Sequence, residues 1–237
     1  MATVLHIDSS ARPAGSDLAT FGSHSRRLSK RFVARWRHQR PGDTVLYRDV
    51  GLTPPAPVSA AWIHAAFTPK ERRAPWMDGV LRESDMLIDE LIGADVIVAG
   101  VPMYNFGVPA SFKAYIDNIV RVGRTFGFDR TRRGEPYWPL LAGMGKRLVI
   151  LSSRGDFGYG EGERIADMNH VEPSIRTAFG YIGITNVASV AVEYDEFADE
   201  RLAASIAAAE RAVDELAERL AAAVGEEERG PASEAAA

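Results

Sequence analysis

Asp95-Val96-Ile97-Val98-Ala99-Gly100-Val101, followed by Pro102-Met103-Tyr104-Asn105-Phe106-Gly107, decides how this chain folds. Its first part is a nearly continuous run of β-branched and small apolar side chains, the pattern of a strand buried on both faces. Pro102 closes the run, and Pro109 opens a helical stretch over Pro109–Val120. Strand, short loop and helix together make one unit of a parallel sheet with covered faces. The unit recurs outward from this stretch. Thr3–Ile7, Arg147–Leu151 and Asn186–Val192 are further apolar runs, and Thr44–Tyr47 is a weaker one after the Pro41-Gly42-Asp43 turn. Between them, Ser25–Gln39 sets Leu28, Phe32 and Trp36 on one helical face, and Met77–Ile92, Pro173–Ile182 and Glu200–Val224 read as helices too. The pattern predicts a single doubly wound α/β domain over residues 1–225, with a five-stranded parallel sheet and helices on both faces.

Two stretches break the rhythm. Gly51–Pro75 is rich in proline and is expected to cross the surface, and Thr125–Gly145 reads as a hairpin excursion. Residues 226–237 have nothing to bury and are expected to be a mobile tail. With 46% hydrophobic and 25% charged residues, the 237-residue chain can bury a sizeable core, which excludes wholesale disorder. Cysteine is absent, which removes thiolate nucleophiles, disulfides and Cys-ligated metal. A net charge of −4 lacks the basic excess of a nucleic-acid binder. No apolar run reaches the ~20 residues of a membrane span, and the N-terminal stretch, with no basic start and no long apolar run, is not expected to be a secretory leader. The expectation is a cytoplasmic protein with neither nucleic acid nor membrane as partner.

In an open α/β sheet, ligands bind beyond the carboxyl ends of the strands, where strand order reverses. Three loops therefore matter. After the first strand come Ser9 and Ser10, then Ser23-His24-Ser25 at the start of a basic helix. Free N–H groups, the helix dipole and serine hydroxyls suit a phosphate there, although Ser23 or Ser25 acting only as a helix cap is the simpler reading. The glycine fingerprint of a dinucleotide site is missing. After the third strand, Met103, Tyr104, Asn105 and Phe106 offer apolar faces and an amide, which suit a flat heteroaromatic ring; the plainer reading is a turn whose aromatics fall back into the core. After the fourth come Ser153-Arg154-Gly155-Asp156. The five histidines have no metal-ligand spacing, Ser153 lacks a nucleophile elbow, and Gly145-Lys146 lacks the Ser/Thr of a P-loop. The basic run Arg26–Arg40 reads by default as a solvated helix face.

Ser9-Ser10, Ser23-His24-Ser25, Pro102-Met103-Tyr104-Asn105-Phe106 and Ser153-Arg154-Gly155 resemble the FMN-binding segments of the FMN-dependent NADH:quinone oxidoreductase/azoreductase family. Lys113–Asp117, Thr125-Phe126 and Phe179–Thr185 extend the resemblance, which runs from about Val4 to about Leu220. It implies a flavodoxin-like fold, a homodimer, FMN as cofactor, NADH or NADPH as electron donor, and a quinone or azo compound as acceptor. Ser10 and Ser23–Ser25 would hold the phosphate, Met103–Phe106 would line the isoalloxazine, and Ser153–Asp156 would border it opposite. No side chain is implied as acid or base. The chain departs from the family pattern in a longer phosphate loop, in extra residues around Ala74–Trp76, and in Asp156 where the family has glycine. Facing the flavin, Asp156 would repel a reduced, anionic ring; facing solvent, it would be screened. A flavodoxin-type electron carrier and a flavin-free α/β binding module are the rival readings.

Overall fold

The computed structural model describes residues 1–13 and 22–229. Along the chain lie β1 (Thr3–Asp8), α1 (His24–Gln39), β2 (Thr44–Asp49), α2 (Ala60–Phe67), α3 (Pro75–Gly93), β3 (Val96–Pro102) and α4 (Ala110–Ile119). Then come β4 (Phe126–Phe128), β5 (Tyr137–Pro139), β6 (Arg147–Ser153), α5 (Glu172–Ile182), β7 (Asn186–Val192) and α6 (Glu200–Arg229). Five strands pair in parallel in the order β2-β1-β3-β6-β7, so the order reverses between β1 and β3. The flavodoxin-like doubly wound arrangement is the one expected, and β4 and β5 form the anticipated antiparallel hairpin.

Alternation along the strands builds two cores. Leu5, Ile7, Ile97, Ala99, Leu148 and Ile150 pack under α3, α4 and α5. Val4, Val96, Val98, Val149 and Leu151 pack on the other face, under α1 and α6. Leu28, Phe32 and Trp36 of α1 are all fully buried there, and each contributes about 1.5–3 kcal/mol of hydrophobic stabilisation.

The departures from expectation are informative. β1, β2 and β6 run one or two residues past their apolar stretches, through Asp8, Asp49 and Ser152-Ser153. Asp8 and Asp49 find side-chain partners at the carboxyl edge of the sheet, whereas Ser152 Oγ is buried without a hydrogen-bond partner among the described residues. The proline-rich crossing contains a helix, α2, capped by Ser59, which accepts from the Trp62 N–H at 3.1 Å. Its Trp62, Ala65 and Ala66 pack on Met77 and Leu81 of α3, so a helix of eight residues is held by tertiary contact. α6 does not stop at Val224 but continues to Arg229, where Glu227 pairs with Arg147 and Glu228 with Arg40, so residues 226–229 are not tail. The rest of that expected tail, residues 230–237, lies outside the described residues. The basic face of α1 is not simply solvated either. Arg27, Arg31 and Arg35 pair with Glu210, Asp214 and Glu218, a ladder of ion pairs that seams α1 to α6.

Candidate active site

The carboxyl end of β1 is built on buried charge. Asp8 is fully buried; its Oδ1 accepts from Ser29 Oγ at 2.7 Å and its Oδ2 from Tyr47 Oη at 3.1 Å. Arg26, 2% exposed, sends a bidentate fork to Asp49 at 2.6 and 2.7 Å and donates to the carbonyl of Ser10 at 2.6 Å. Burial alone would lower the Arg26 guanidinium, but Asp49 and Asp8 outweigh it and raise it. Burial alone would raise the Asp49 carboxyl, but the Arg26 hydrogen bond and charge, the Leu52 N–H and the Tyr47 hydroxyl together outweigh that and hold it below the usual carboxylate range. Both partners therefore stay charged, and the guanidinium fixes the loop that carries Ser10. Gly51 is required here, since a Cβ would stand 2.2 Å from the Ser10 carbonyl oxygen.

At the start of α1, Ser23 is the cap: its Oγ accepts from the Arg26 N–H at 3.3 Å and lies 3.1 Å from Ser25 Oγ. Capping by Ser23 leaves the His24 and Ser25 N–H groups at the positive end of the helix dipole. His24 is 7% exposed, with Nε2 3.1 Å from Asp195 and Nδ1 buried without a hydrogen-bond partner among the described residues. The longer loop expected before it falls on residues 14–21 for the most part, outside the described residues.

Beyond β3 the backbone reverses in two residues. Tyr104 and Gly107 exchange N–H···O bonds of 2.9 and 3.1 Å, and the residues between them, Asn105 (φ 48°) and Phe106 (φ 71°), are left-handed. This is the geometry of a type I′ turn, which asparagine accepts and phenylalanine resists. Strain of that kind persists only where the surroundings hold it. Here the Phe106 carbonyl accepts from the His170 N–H at 2.9 Å, and Tyr104 Oη accepts from the Ala11 N–H at 3.1 Å. Tyr104 and Phe106 are 37% and 43% exposed, so the aromatics do not fall back into the core; Met103, partly buried, does pack on it.

Ser10, Ser23 and His24 from the first loop, Met103 and Tyr104 from the second, and Ser153, Arg154 and Gly155 from the third line one cavity of about 140 Å³. Of the remaining residues expected here, Ser25 is buried behind Ser23, and Asn105 and Phe106 sit on the exposed turn just outside the cavity. Asp156 turns away. It pairs with Arg164 at 2.6 Å and accepts from the Phe157 N–H, and that pairing, with the backbone bond, holds its carboxyl below the usual range. It does not line the cavity. The Arg154 guanidinium is also committed elsewhere, to Glu172 and to Glu193 at 3.0 Å. The sequence reading missed Arg12, Asp195 and Glu196, which line the cavity too. The last two come from the loop after β7, which bonds along the third loop: Asp195 N to Arg154 O at 3.2 Å and Glu196 N to Gly155 O at 3.1 Å. A larger cavity, about 540 Å³, lies beyond Arg154 between α5, β7 and residues 159–169, away from the switch point.

A family model described as flavodoxin-like fold matches residues 2–217. The chain is 42% identical over 220 residues to an FMN-dependent NADH:quinone oxidoreductase of Colwellia psychrerythraea, covering 93% of this chain and all of that one. The chain belongs to the family of FMN-dependent NADH:quinone oxidoreductases. It is also 45% identical over 175 residues to an FMN-dependent NAD(P)H:quinone oxidoreductase of Pseudomonas aeruginosa, covering 73% of this chain and 82% of that relative. Among solved structures, an FMN-dependent NADH-azoreductase of Bacillus anthracis in complex with FMN superposes with a TM-score of 0.79 at 19% identity, over 93% of this chain and all of that one. That likeness speaks for the fold.

Proposed function

We propose that the chain is an FMN-dependent NAD(P)H:quinone oxidoreductase that passes two electrons from NADH or NADPH to a quinone and reductively cleaves aromatic azo compounds. One observation carries this reading. Three loops meet at the β1/β3 switch point, with a capped helix start at one end and an exposed aromatic turn at the other. The residues fit a flavin mononucleotide. Ser10, Ser23, His24 and the first turn of α1, with its N–H donors and orphaned imidazole nitrogen, would hold the phosphate, backed by Ser25. Met103, Tyr104, Asn105 and Phe106 would line the isoalloxazine, with Ser153, Arg154 and Gly155 opposite. A cavity of about 140 Å³ is smaller than the ~300 Å³ at which ligand pockets begin. It suits the phosphate-bearing end, and the aromatic turn offers the ring its face outside.

When bound, FMN supplies the hydride chemistry, and the protein binds, orients and shields it. The chain's own part is accordingly positional. The Arg26–Asp49 fork immobilises the Ser10 carbonyl, the Tyr104–Ala11 bond ties the second loop to the first, and Phe106 holds an apolar face toward an incoming ring. No side chain is assigned as acid or base.

A homodimer goes with this reading. Phe128, Tyr137 and Tyr181 are 41–48% exposed; Tyr137 and Tyr181 lie 6.1 and 5.1 Å from Phe126 by ring centroid and Phe128 lies 4.7 Å from Tyr137, an aromatic patch suited to a second copy. A cytoplasmic location goes with it too, because the nucleotide donor is held there. Among the described residues, no helix is long and apolar enough to cross a membrane. The test is direct. Protein reconstituted with FMN should absorb near ~450 nm, as a bound flavin does, and oxidise NADH with a quinone along parallel double-reciprocal lines, as a shared slot requires. A flavodoxin-type carrier would bind FMN and turn over NADH poorly; a flavin-free module would not perturb the FMN spectrum.

A further inference from the structure

The loop after β7 touches both ends of the cavity. Its backbone bonds to Arg154 and Gly155 on one side, and its Asp195 reaches His24 at the start of α1 on the other. Tyr194, immediately before Asp195, is left-handed at φ 70°, and its ring stacks on Phe157 at 4.8 Å, so a strained backbone is held by packing next to the carboxylate. Asp195 Oδ1 is 3.1 Å from His24 Nε2, and Oδ2 is 3.6 Å from Arg12 Nη1. The hydrogen bond to His24 holds the Asp195 carboxyl below the usual range, so it is an anion at neutral pH. With Nε2 engaged, Nδ1 is the nitrogen left over, buried and without a partner among the described residues, on a ring that lines the cavity.

We infer that Asp195 is a positioning residue for the FMN phosphate, acting through His24. A histidine can donate to a phosphate oxygen from Nδ1 while donating to a carboxylate from Nε2 only as an imidazolium, with both nitrogens protonated. The Asp195 carboxylate orients that ring, supports its positive charge and draws Arg12 to the same end of the cavity. The opposing effect is direct repulsion of the phosphate by Asp195 and by its neighbour Glu196. The geometry decides between them: Asp195 faces the Arg12 guanidinium and the His24 ring, and its contact is with Nε2 rather than with Nδ1. The inference rests on the FMN reading above, and a ligand without the phosphate separates the two.

The experiment titrates apo-protein with FMN and with riboflavin, following the quenching of flavin fluorescence. Asp195→Asn keeps the shape and loses the charge. It should weaken FMN about tenfold, the scale of one charge-assisted hydrogen bond, and leave riboflavin within about twofold. His24→Gln should weaken FMN alone as well, and adding Asp195→Asn to it should cost no more, because the carboxylate acts through the ring. Asp195→Glu should restore part of the loss. Tighter FMN binding by Asp195→Asn would show repulsion and overturn the inference. Equal loss of FMN and riboflavin would show a structural role only and overturn it too, as would additive losses in the double variant. Failure of the parent protein to bind FMN is a different result, and overturns the functional reading itself.

Discussion

The loops after β1 and β3 are neighbours on the sheet, yet they are held in opposite ways. The first rests on fixed charge. Asp8 and Arg26 are buried, Asp49 is partly so, and the guanidinium reaches up to the Ser10 carbonyl. The second rests on backbone, a two-residue reversal closed by Tyr104 and Gly107 and strained at Phe106. An anion site gains from rigid donors in a low-dielectric setting, where each charge has a partner. A ring-stacking site needs exposed apolar faces, which a buried ionic base cannot supply. The difference teaches that the two ends of one cofactor site fail differently: the first by losing a charge partner, the second by losing a face.

The sharpest break comes at Arg26. Arg26→Met leaves Asp8 and Asp49 without their cation, and removing one member of a buried pair costs about 3–5 kcal/mol. Chemical denaturation of the apo-protein should show that loss, together with weaker FMN binding. The pH dependence has a definite sign. The folded Asp49 carboxyl lies below its unfolded value, ~3.9 for a free Asp. It therefore contributes stability above that pH, and the contribution is lost as pH falls through the folded value. Without Arg26 the folded carboxyl is no longer held down. Acid unfolding of the variant should accordingly begin at higher pH than in the parent.

Gly51→Ala tests the same loop without touching a charge. The added methyl would meet the Ser10 carbonyl at 2.2 Å and the Arg26 guanidinium at 2.8 Å. Overpacking of this kind costs about 1–3 kcal/mol. Because the displaced atom is backbone, FMN affinity should fall with stability. If stability fell while FMN affinity held, Ser10 would not be a phosphate contact.

These contrasts also mark what could be read before the structure. Ser23 as cap, the β-α units and the hairpin over Thr125–Gly145 are local, and their signals lie within a few residues. The turn at Asn105 carries its own sign, since asparagine tolerates φ > 0, although nothing local says that Phe106 shares it. Arg26 and Asp49 are 23 residues apart, and Asp195 follows a different strand from the helix it meets. Such pairs depend on which strand ends become neighbours. A run of arginines on α1 consequently looked solvated when its partners were waiting on α6. α2 stayed hidden because its prolines precede it and its stability comes from Met77 and Leu81.

At the second loop the expected effects are smaller and of mixed sign. A non-glycine residue in the left-handed region costs ~1–2 kcal/mol, and part of the gain from glycine is offset by the freer unfolded chain. Phe106→Gly should therefore stabilise the protein by about 0.5–1 kcal/mol in denaturant unfolding. It should also raise the KM for quinone, because the exposed ring face is gone. Loss of stability instead would mean that the Phe106 side chain, 43% exposed, contributes more packing than its backbone costs.

The smallest effect is expected at Asp156, on the third loop. An unpaired carboxylate about 8 Å from a reduced, anionic flavin at an effective dielectric near 20 would repel it by roughly 2 kcal/mol. That corresponds to about 45 mV in a two-electron couple. The structure removes most of this in two ways. Asp156 lies outside the cavity lining and pairs with Arg164 at 2.6 Å, so the nearest charge to it is of opposite sign. Its side chain is also 37% exposed, which lets water and salt screen what is left. Asp156→Gly should accordingly move the potential of the FMN-loaded protein by less than about 10 mV at low salt, a small residue of that Coulomb repulsion. Arg164→Gln strips the partner while keeping the carboxylate, and should lower the potential by more than Asp156→Gly raises it. A rise of tens of millivolts in Asp156→Gly would place the carboxylate against the flavin, and the third loop would then join the first as a site governed by charge.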